Sequence, residues 1–268
     1  MGSCGMRSEH KGVVLSWLGS RKGLWVDRRL LTIRLWKLLA IAIRPLYRKA
    51  FLRHGIAPAV EHEAVLAKLD FDFVADVGAN RGQFALVCRR AKPDARIVAF
   101  EPLPGPAQVF RAVFDEDERV RLHQSALAPQ RGQMMMHVSA HDDSSSLLPI
   151  SSVQTWNFPG TEAVATQSVP TGPLSDFVTS ADLGMRSLLK IDVQGFELEV
   201  LRSAEALLPQ FRWIYAECSF VPLYERQALA DQVITWLSDR QFDLVDRFNP
   251  TIGRDGMVLQ MDFLFKAR

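Results

Sequence analysis

Asp70-Phe-Asp-Phe-Val-Ala-Asp76-Val-Gly78-Ala-Asn80-Arg-Gly82-Gln-Phe-Ala85 is the stretch on which the fold turns. Phe73 to Ala75 is a short apolar run of strand formers, Asp76 ends it, Gly78 and Gly82 bracket a tight turn, and Gln83 to Arg90 reads as a helix. In an open α/β sheet a ligand binds where the chain leaves the carboxyl end of such a strand, and glycines let the backbone approach it closely.

The turn is spaced Asp-x-Gly-x-x-x-Gly. A dinucleotide fingerprint would place a second glycine at position 80, which is Asn80, so a pyrophosphate ligand is disfavoured. Ala95 to Phe100 is a second apolar run and ends in Glu101-Pro102. A carboxylate at the tip of that strand is placed to accept both hydroxyls of an adenosine ribose. Asp76, Gly78, Asn80, Gly82, Glu101 and Pro102, in this order, favour S-adenosyl-L-methionine as the cofactor.

With these residues in place the sequence resembles the FkbM-type S-adenosylmethionine-dependent methyltransferases. The resemblance is carried by Asp76-Val-Gly-Ala-Asn-Arg-Gly82, Ala99-Phe-Glu-Pro102, Ser144-Ser-Ser-Leu147, Pro173-Leu-Ser-Asp-Phe177 and Leu189-Lys-Ile-Asp-Val-Gln-Gly-Phe-Glu-Leu-Glu-Val-Leu201, and it spans roughly residues 60 to 245. Gln194 departs from the glutamate expected at its place in the last block. The resemblance implies a Rossmann-like class I methyltransferase fold. It also implies an acceptor hydroxyl on a sugar, a glycolipid or a polyketide-like natural product.

A chain of 268 residues, 48% hydrophobic, can bury one substantial α/β core. The simplest division is a basic amphipathic helical extension over residues 1–57 and a methyltransferase domain over residues 58–268. Cys4, Cys88 and Cys218 are odd in number and far apart, which excludes a disulfide framework and fits a reducing compartment. The expected location is therefore cytoplasmic.

The net charge of +2 hides an asymmetry. Residues 1–53 carry 12 Lys and Arg against Glu9 and Asp27, a balance of +10, so the remainder carries −8. Leu30 to Ile43 is apolar and helical in pattern, and Pro45 should end it. Its longest charge-free run, Leu38 to Ile43, is far below the roughly 20 residues needed to cross a bilayer, and no signal-peptide core precedes it. Two readings stay open for residues 28–53: a helix packed on its own domain, or a peripheral contact with the anionic inner face of the plasma membrane. No nucleic-acid motif accompanies the charge.

The remaining chain alternates. A lead-in helix is expected over residues 58–69, a third strand over Val120 to Gln124, a fourth over Ser187 to Asp192, a helix over Glu197 to Leu208, and a fifth strand over Arg212 to Ala216 that delivers Glu217. A helix over Ala228 to Arg240, a strand near Phe242 to Asp246 and a last strand over Met257 to Lys266 follow. The expected sheet has seven mostly parallel strands, an antiparallel last strand and helices on both faces. Ser125-Ala126 follows the third strand where adenine or ribose contacts are expected. Residues 134–172 read as an insertion or lid, with His141 and Ser144 to Ser146 placed to close the site and Trp156 and Phe158 placed to stack on an acceptor or anchor the loop.

Methyl transfer to a hydroxyl needs the acceptor aligned and its proton removed. Asp192, Glu217 and His141 are the candidates for that work, and Asp192 also borders the cofactor. A magnesium ion held by Asp192 and Glu217 is compatible with the pattern, although no spacing requires it. Two other classes compete. A nicotinamide-dependent oxidoreductase is disfavoured by Asn80 and by the lack of a tyrosine-lysine pair near the site. A non-catalytic scaffold built on the same fold, working as a membrane-associated interaction module, is disfavoured by the intact Asp76, Gly78, Glu101 and Asp192. The pattern leaves the oligomeric state open.

Overall fold

The structure, a computed structural model, describes residues 28–268. Residues 1–27, and with them Cys4 and the first part of the expected extension, lie outside the described residues. In chain order the helices are α1 (Arg28–Ile43), α2 (Pro45–His54), α3 (Glu63–Leu66), α4 (Gln83–Ala91), α5 (Pro104–Val113), α6 (Ser152–Asn157), α7 (Glu197–Ser203) and α8 (Ala230–Ser238). The strands are β1 (Phe73–Val77), β2 (Arg96–Phe100), β3 (Val120–His123), β4 (Ala126–Leu127), β5 (Gly132–Ser139), β6 (Ala163–Gly172), β7 (Ser187–Ile191), β8 (Phe211–Ser219), β9 (Phe242–Ile252) and β10 (Val258–Ala267).

The main sheet has the order β3-β2-β1-β7-β8-β10-β9, and β10 alone runs against its neighbours. The chain steps outward from β1 to β3 and then returns to the other side of β1 for β7. That reversal is the switch point at which open α/β sheets bind ligands. Strands buried on both faces need apolar side chains on both, and Phe-Val-Ala-Asp-Val and Ser-Leu-Leu-Lys-Ile supply them except at Asp76, Ser187 and Lys190. On one face Val74 and Leu188 pack with Leu66, Phe84, Cys88 and Phe110. On the other, Phe73, Ala75, Leu189 and Ile191 pack with Val200 and Leu201 of α7 and Val233 and Leu237 of α8.

Pro45 acts as expected. It fixes the preceding Arg44 in an extended conformation, which stops α1, and then opens α2 at a position whose missing N–H costs nothing. Ala40, Ile41, Tyr47 and Ala50 are buried in the same apolar cluster as Leu66 and Leu86. Glu63 anchors this segment, accepting from the Tyr47 hydroxyl at 2.6 Å and from Arg44.

Several boundaries differ from the sequence reading. The lead-in segment is a 3-10 turn at Val60–His62 followed by the single turn of α3. α7 stops at Ser203, where the Ala204 N–H is shared among preceding carbonyls and the chain tightens toward a 3-10 turn at Leu208–Gln210. β8 runs to Ser219, because β10 pairs with it from Trp213 to Ser219. Residues 126–172 build a second, three-stranded sheet, β4-β6-β5, in which the β5–β6 pair carries α6 between its strands.

Phe263 is fully buried at the centre of β10. Phe263→Ala should lower the unfolding free energy by about 3–5 kcal/mol, measured as a reduced urea midpoint at unchanged slope.

Candidate functional site

The carboxyl ends of β1, β2 and β7 surround a cavity of about 330 Å³, within the usual range for small-molecule sites. Its floor is the β1–α4 turn. Gly78 has φ +79, and a Cβ there would lie 1.8 Å from the Asp192 carbonyl oxygen, so this turn and the one after β7 touch back to back. Only glycine permits that approach. Asn80 is left-handed (φ +46), which turns its N–H toward β2.

Glu101 receives that N–H. Its Oε2 accepts from Asn80 N at 3.0 Å and its Oε1 from Leu103 N at 2.8 Å, with the residue 6% exposed. Burial pushes the carboxyl up to about 7, against the two backbone N–H groups, which favour the anion. Each oxygen keeps an unfilled lone pair in a cavity also bordered by Pro102, Ser125 and Ala126. A ribose with two hydroxyls fits this arrangement, and these are the residues that would hold it.

Asp76 and Gly82, expected at the cofactor, are not among the residues that line the cavity. Asp76 is fully buried beneath it, with the Lys190 ammonium at 3.2 Å and no well-aligned hydrogen bond on either oxygen. The two residues are register partners on adjacent strands. Lys190 also donates to the Gly78 carbonyl at 3.0 Å and lies 3.8 Å from Asp192. Burial works against its charge, but Asp76 and Asp192 outweigh burial and hold it above the usual lysine range. Gly82, at φ +92, lets α5 close on α4, because a Cβ there would meet the Phe114 ring at 2.7 Å.

Asp192 lines the cavity with its side chain 41% exposed. Gln194, itself left-handed (φ +57), donates from Nε2 to Asp192 at 2.8 Å and to Glu217 at 3.2 Å. The Tyr224 hydroxyl, 2.9 Å from Gln194 Oε1, fixes the amide in that orientation. An amide N–H group therefore sits between the two carboxylates where a cation would have to bind. Gln260 donates to the other Glu217 oxygen at 2.8 Å. These donors do not fit a magnesium site, and no cluster of metal-ligating side chains occurs among the described residues.

Glu217 lies inside β8 rather than at its tip, half-buried behind Gln194 and away from the cavity. Burial and the nearby Asp192 and Asp262 carboxylates push it well above the usual range. His141 is exposed and packs against Gly160, also away from the cavity. Its neighbours Asp142, Asp143 and Ser145 line the cavity instead. Arg81 grips Asp142 with both terminal nitrogens, Ser146 donates to the Gln194 carbonyl at 2.6 Å, and the Tyr224 hydroxyl reaches the Ser144 carbonyl at 3.0 Å. These contacts pin residues 142–146 across the site. Trp156 faces solvent, whereas Phe158 packs with Leu223 and Tyr224.

Sequence reasoning missed Lys37 and Glu61, which also line the cavity, and read His62 as a surface or capping residue with facing the substrate as the alternative; His62 lines the cavity too. Lys37 and Glu61 pair at 3.5 Å, bringing α1 to its rim.

A parallel sheet with a nucleoside-sized cavity at its switch point and an acidic residue at the second strand tip defines a class I methyltransferase fold. The family model described as the methyltransferase FkbM domain matches residues 76–244, and the chain belongs to that methyltransferase family. It is 29% identical over 197 residues to the 2-O-methyltransferase NoeI of Sinorhizobium fredii, covering 69% of this chain and 77% of that one. It is 27% identical over 234 residues to the 31-O-demethyl-FK506 methyltransferase FkbM of Streptomyces tacrolimicus, covering 76% and 84%. A solved structure from Listeria monocytogenes serotype 4b aligns with a TM-score of 0.46 at 8% identity, covering 78% of this chain and 67% of that one.

Lys190→Met leaves Asp76 buried without its counter-charge and should cost about 3–5 kcal/mol in urea unfolding at neutral pH. Asp76→Leu combined with Lys190→Met should recover most of that loss.

Proposed function

We propose that the protein is an S-adenosylmethionine-dependent O-methyltransferase acting on a hydroxyl of a sugar or a polyketide-like natural product. The observation that carries this is Glu101, a buried carboxylate held by two backbone N–H groups with its free lone pairs facing the cavity. Hydroxyl acceptors are supported by the O-methyl chemistry in the names of two relatives. When bound, the cofactor supplies an electrophilic methyl group on a sulfonium.

The chain's own share is positioning. Glu101 accepts the ribose hydroxyls, and Gly78 and Ala79 let the backbone come close. Asp192, steadied by Gln194, offers a hydrogen-bond acceptor that binds the incoming substrate beside the hydroxyl that reacts. The pinned segment 142–146 supplies one wall of the cavity through Asp142, Asp143 and Ser145. In titration calorimetry, binding of S-adenosylmethionine should tighten between about pH 6 and about pH 8. Only the ionised Glu101 accepts both hydroxyls, and its carboxyl titrates at about 7. Glu101→Ala should weaken binding by more than about tenfold, about 1.4 kcal/mol. A pH-independent affinity, or an unaffected mutant, would count against the ribose contact.

A second reading concerns where the acceptor lies. α1 is apolar on both sides: Ala40 and Ile41 face the core, while Leu35, Trp36, Leu38, Leu39 and Ile43 are exposed, joined by Phe51 and Leu52 of α2. Lys49 and Arg53 pair with Glu116, and Arg48 stays exposed beside this face. None of the described helices is long and apolar enough to cross a membrane. We infer peripheral attachment of this face to an anionic bilayer, with a glycolipid as the acceptor class. The full chain should co-sediment with phosphatidylglycerol vesicles, and Leu35→Glu with Leu39→Glu should abolish this. Equal sedimentation of both proteins would dismiss the attachment.

A further inference from the structure

His62 reaches the cavity from the turn before α3, and its ring is held by the sheet beneath it. Its Nδ1 lies 3.0 Å from the Tyr215 hydroxyl. Tyr215 in turn donates to Asp262 Oδ2 at 2.9 Å, and Asn249 donates to the same oxygen at 2.8 Å. Asp262 Oδ2 itself stands 3.5 Å from His62 Nδ1. Phe84 and Tyr215 meet the imidazole edge-on, at centroid distances of 5.3 and 5.6 Å, and fix its plane. The side chains of His62 and Asp262 are 16% and 12% exposed.

The donor order in this chain is determined. Burial and the Asp262 carboxylate hold the Tyr215 phenol well above its ordinary range, so it keeps its proton, and that proton is committed to Asp262. At its 3.0 Å contact with His62 the Tyr215 oxygen then accepts, which requires Nδ1–H; Asn249 Nδ2 stands 3.5 Å from both Nδ1 and the Tyr215 oxygen, but its short bond, at 2.8 Å, goes to Asp262. Nε2 is left as a bare lone pair with no partner among the described residues, on a ring that lines the cavity. A base oriented by a second group that is itself anchored by a carboxylate is the arrangement general-base catalysis uses. The other charges near the ring are Lys190 across Phe84, Asp76 below it, and the paired Lys37 and Glu61.

We propose that His62 Nε2 is the proton acceptor for the methylated hydroxyl, and that Tyr215, Asn249 and Asp262 are its positioning residues. This rests on the O-methyl transfer reading. The acceptor oxygen forms its bond to the methyl carbon as the sulfur–carbon bond breaks and the sulfonium becomes a neutral thioether. The hydroxyl proton passes to Nε2, and the resulting imidazolium is stabilised through Tyr215 by Asp262 before it releases the proton to water.

Two measurements test this on the full chain. Long-range 15N NMR of the histidines should show the neutral form of His62 with its proton on Nδ1, and Asp262→Asn should move population to the other tautomer. Methyl-labelled S-adenosylmethionine with 4-nitrophenyl glycosides and a hydroxylated macrolactone as acceptors gives turnover. His62→Gln, which keeps a hydrogen bond to Tyr215, and His62→Ala should each lose about 100-fold or more in kcat at unchanged cofactor affinity, and added imidazole should restore part of the His62→Ala loss. An Nε2–H tautomer in the wild type, or a His62→Gln kcat within threefold of it, would overturn the assignment while leaving O-methyl transfer standing. A folded, cofactor-binding wild type that methylates none of these hydroxyls would overturn both.

Discussion

The contact between Lys190 and Asp76 organises the site. Two adjacent parallel strands each place one charged side chain on the same buried face, in register, and neither charge would be tolerable there alone. The ammonium also reaches the Gly78 carbonyl and approaches Asp192, so one cation ties together the turns after β1 and β7. Those turns touch through Gly78, and their contact sets the floor of the cavity. Asn80 depends on the same turn, and Glu101 depends on Asn80 for one of its two backbone hydrogen bonds. The site's geometry thus starts from a charge pair of which Lys190 borders the cavity and Asp76 lies beneath it.

Around that floor the fold uses one device repeatedly: a carboxylate held in place by N–H groups. Glu101 is held by Asn80 and Leu103, and Glu217 by the amides of Gln194 and Gln260. Glu197 accepts from Gly195 at 2.9 Å at the start of α7, where burial lifts its carboxyl to about 7. Gln194 bridges two acids with a neutral amide, so the Asp192–Glu217 edge is closed by hydrogen bonding rather than by a metal.

The features legible in the sequence are those whose chemistry is local. Asp76-x-Gly-x-x-x-Gly82 and Glu101-Pro102 sit at strand ends that their own apolar runs announce, and the turn after Lys190 delivers Asp192 as its pattern implies. Even there the sequence could not distinguish a residue that lines the cavity from one that supports it, and Asp76 and Gly82 are supports. Glu217 was misplaced because the length of β8 is set by pairing with β10, more than forty residues later in the chain. His141 sits next to residues that do line the cavity, but the 3-10 turn at Asp142–Ser144 directs it outward. His62, Tyr215 and Asp262 are separated by 153 and 47 positions, so no local pattern joins them. Only the sheet order β1-β7-β8-β10 brings them together.

The most direct test of the account is a crystal structure with S-adenosylhomocysteine, the demethylated form of the proposed cofactor. The account predicts the nucleoside in the cavity between β1, β2 and β7, with both ribose hydroxyls about 2.5–3.0 Å from the Glu101 carboxylate. A nucleoside bound elsewhere, or bound in the cavity with its ribose turned away from Glu101, would contradict it.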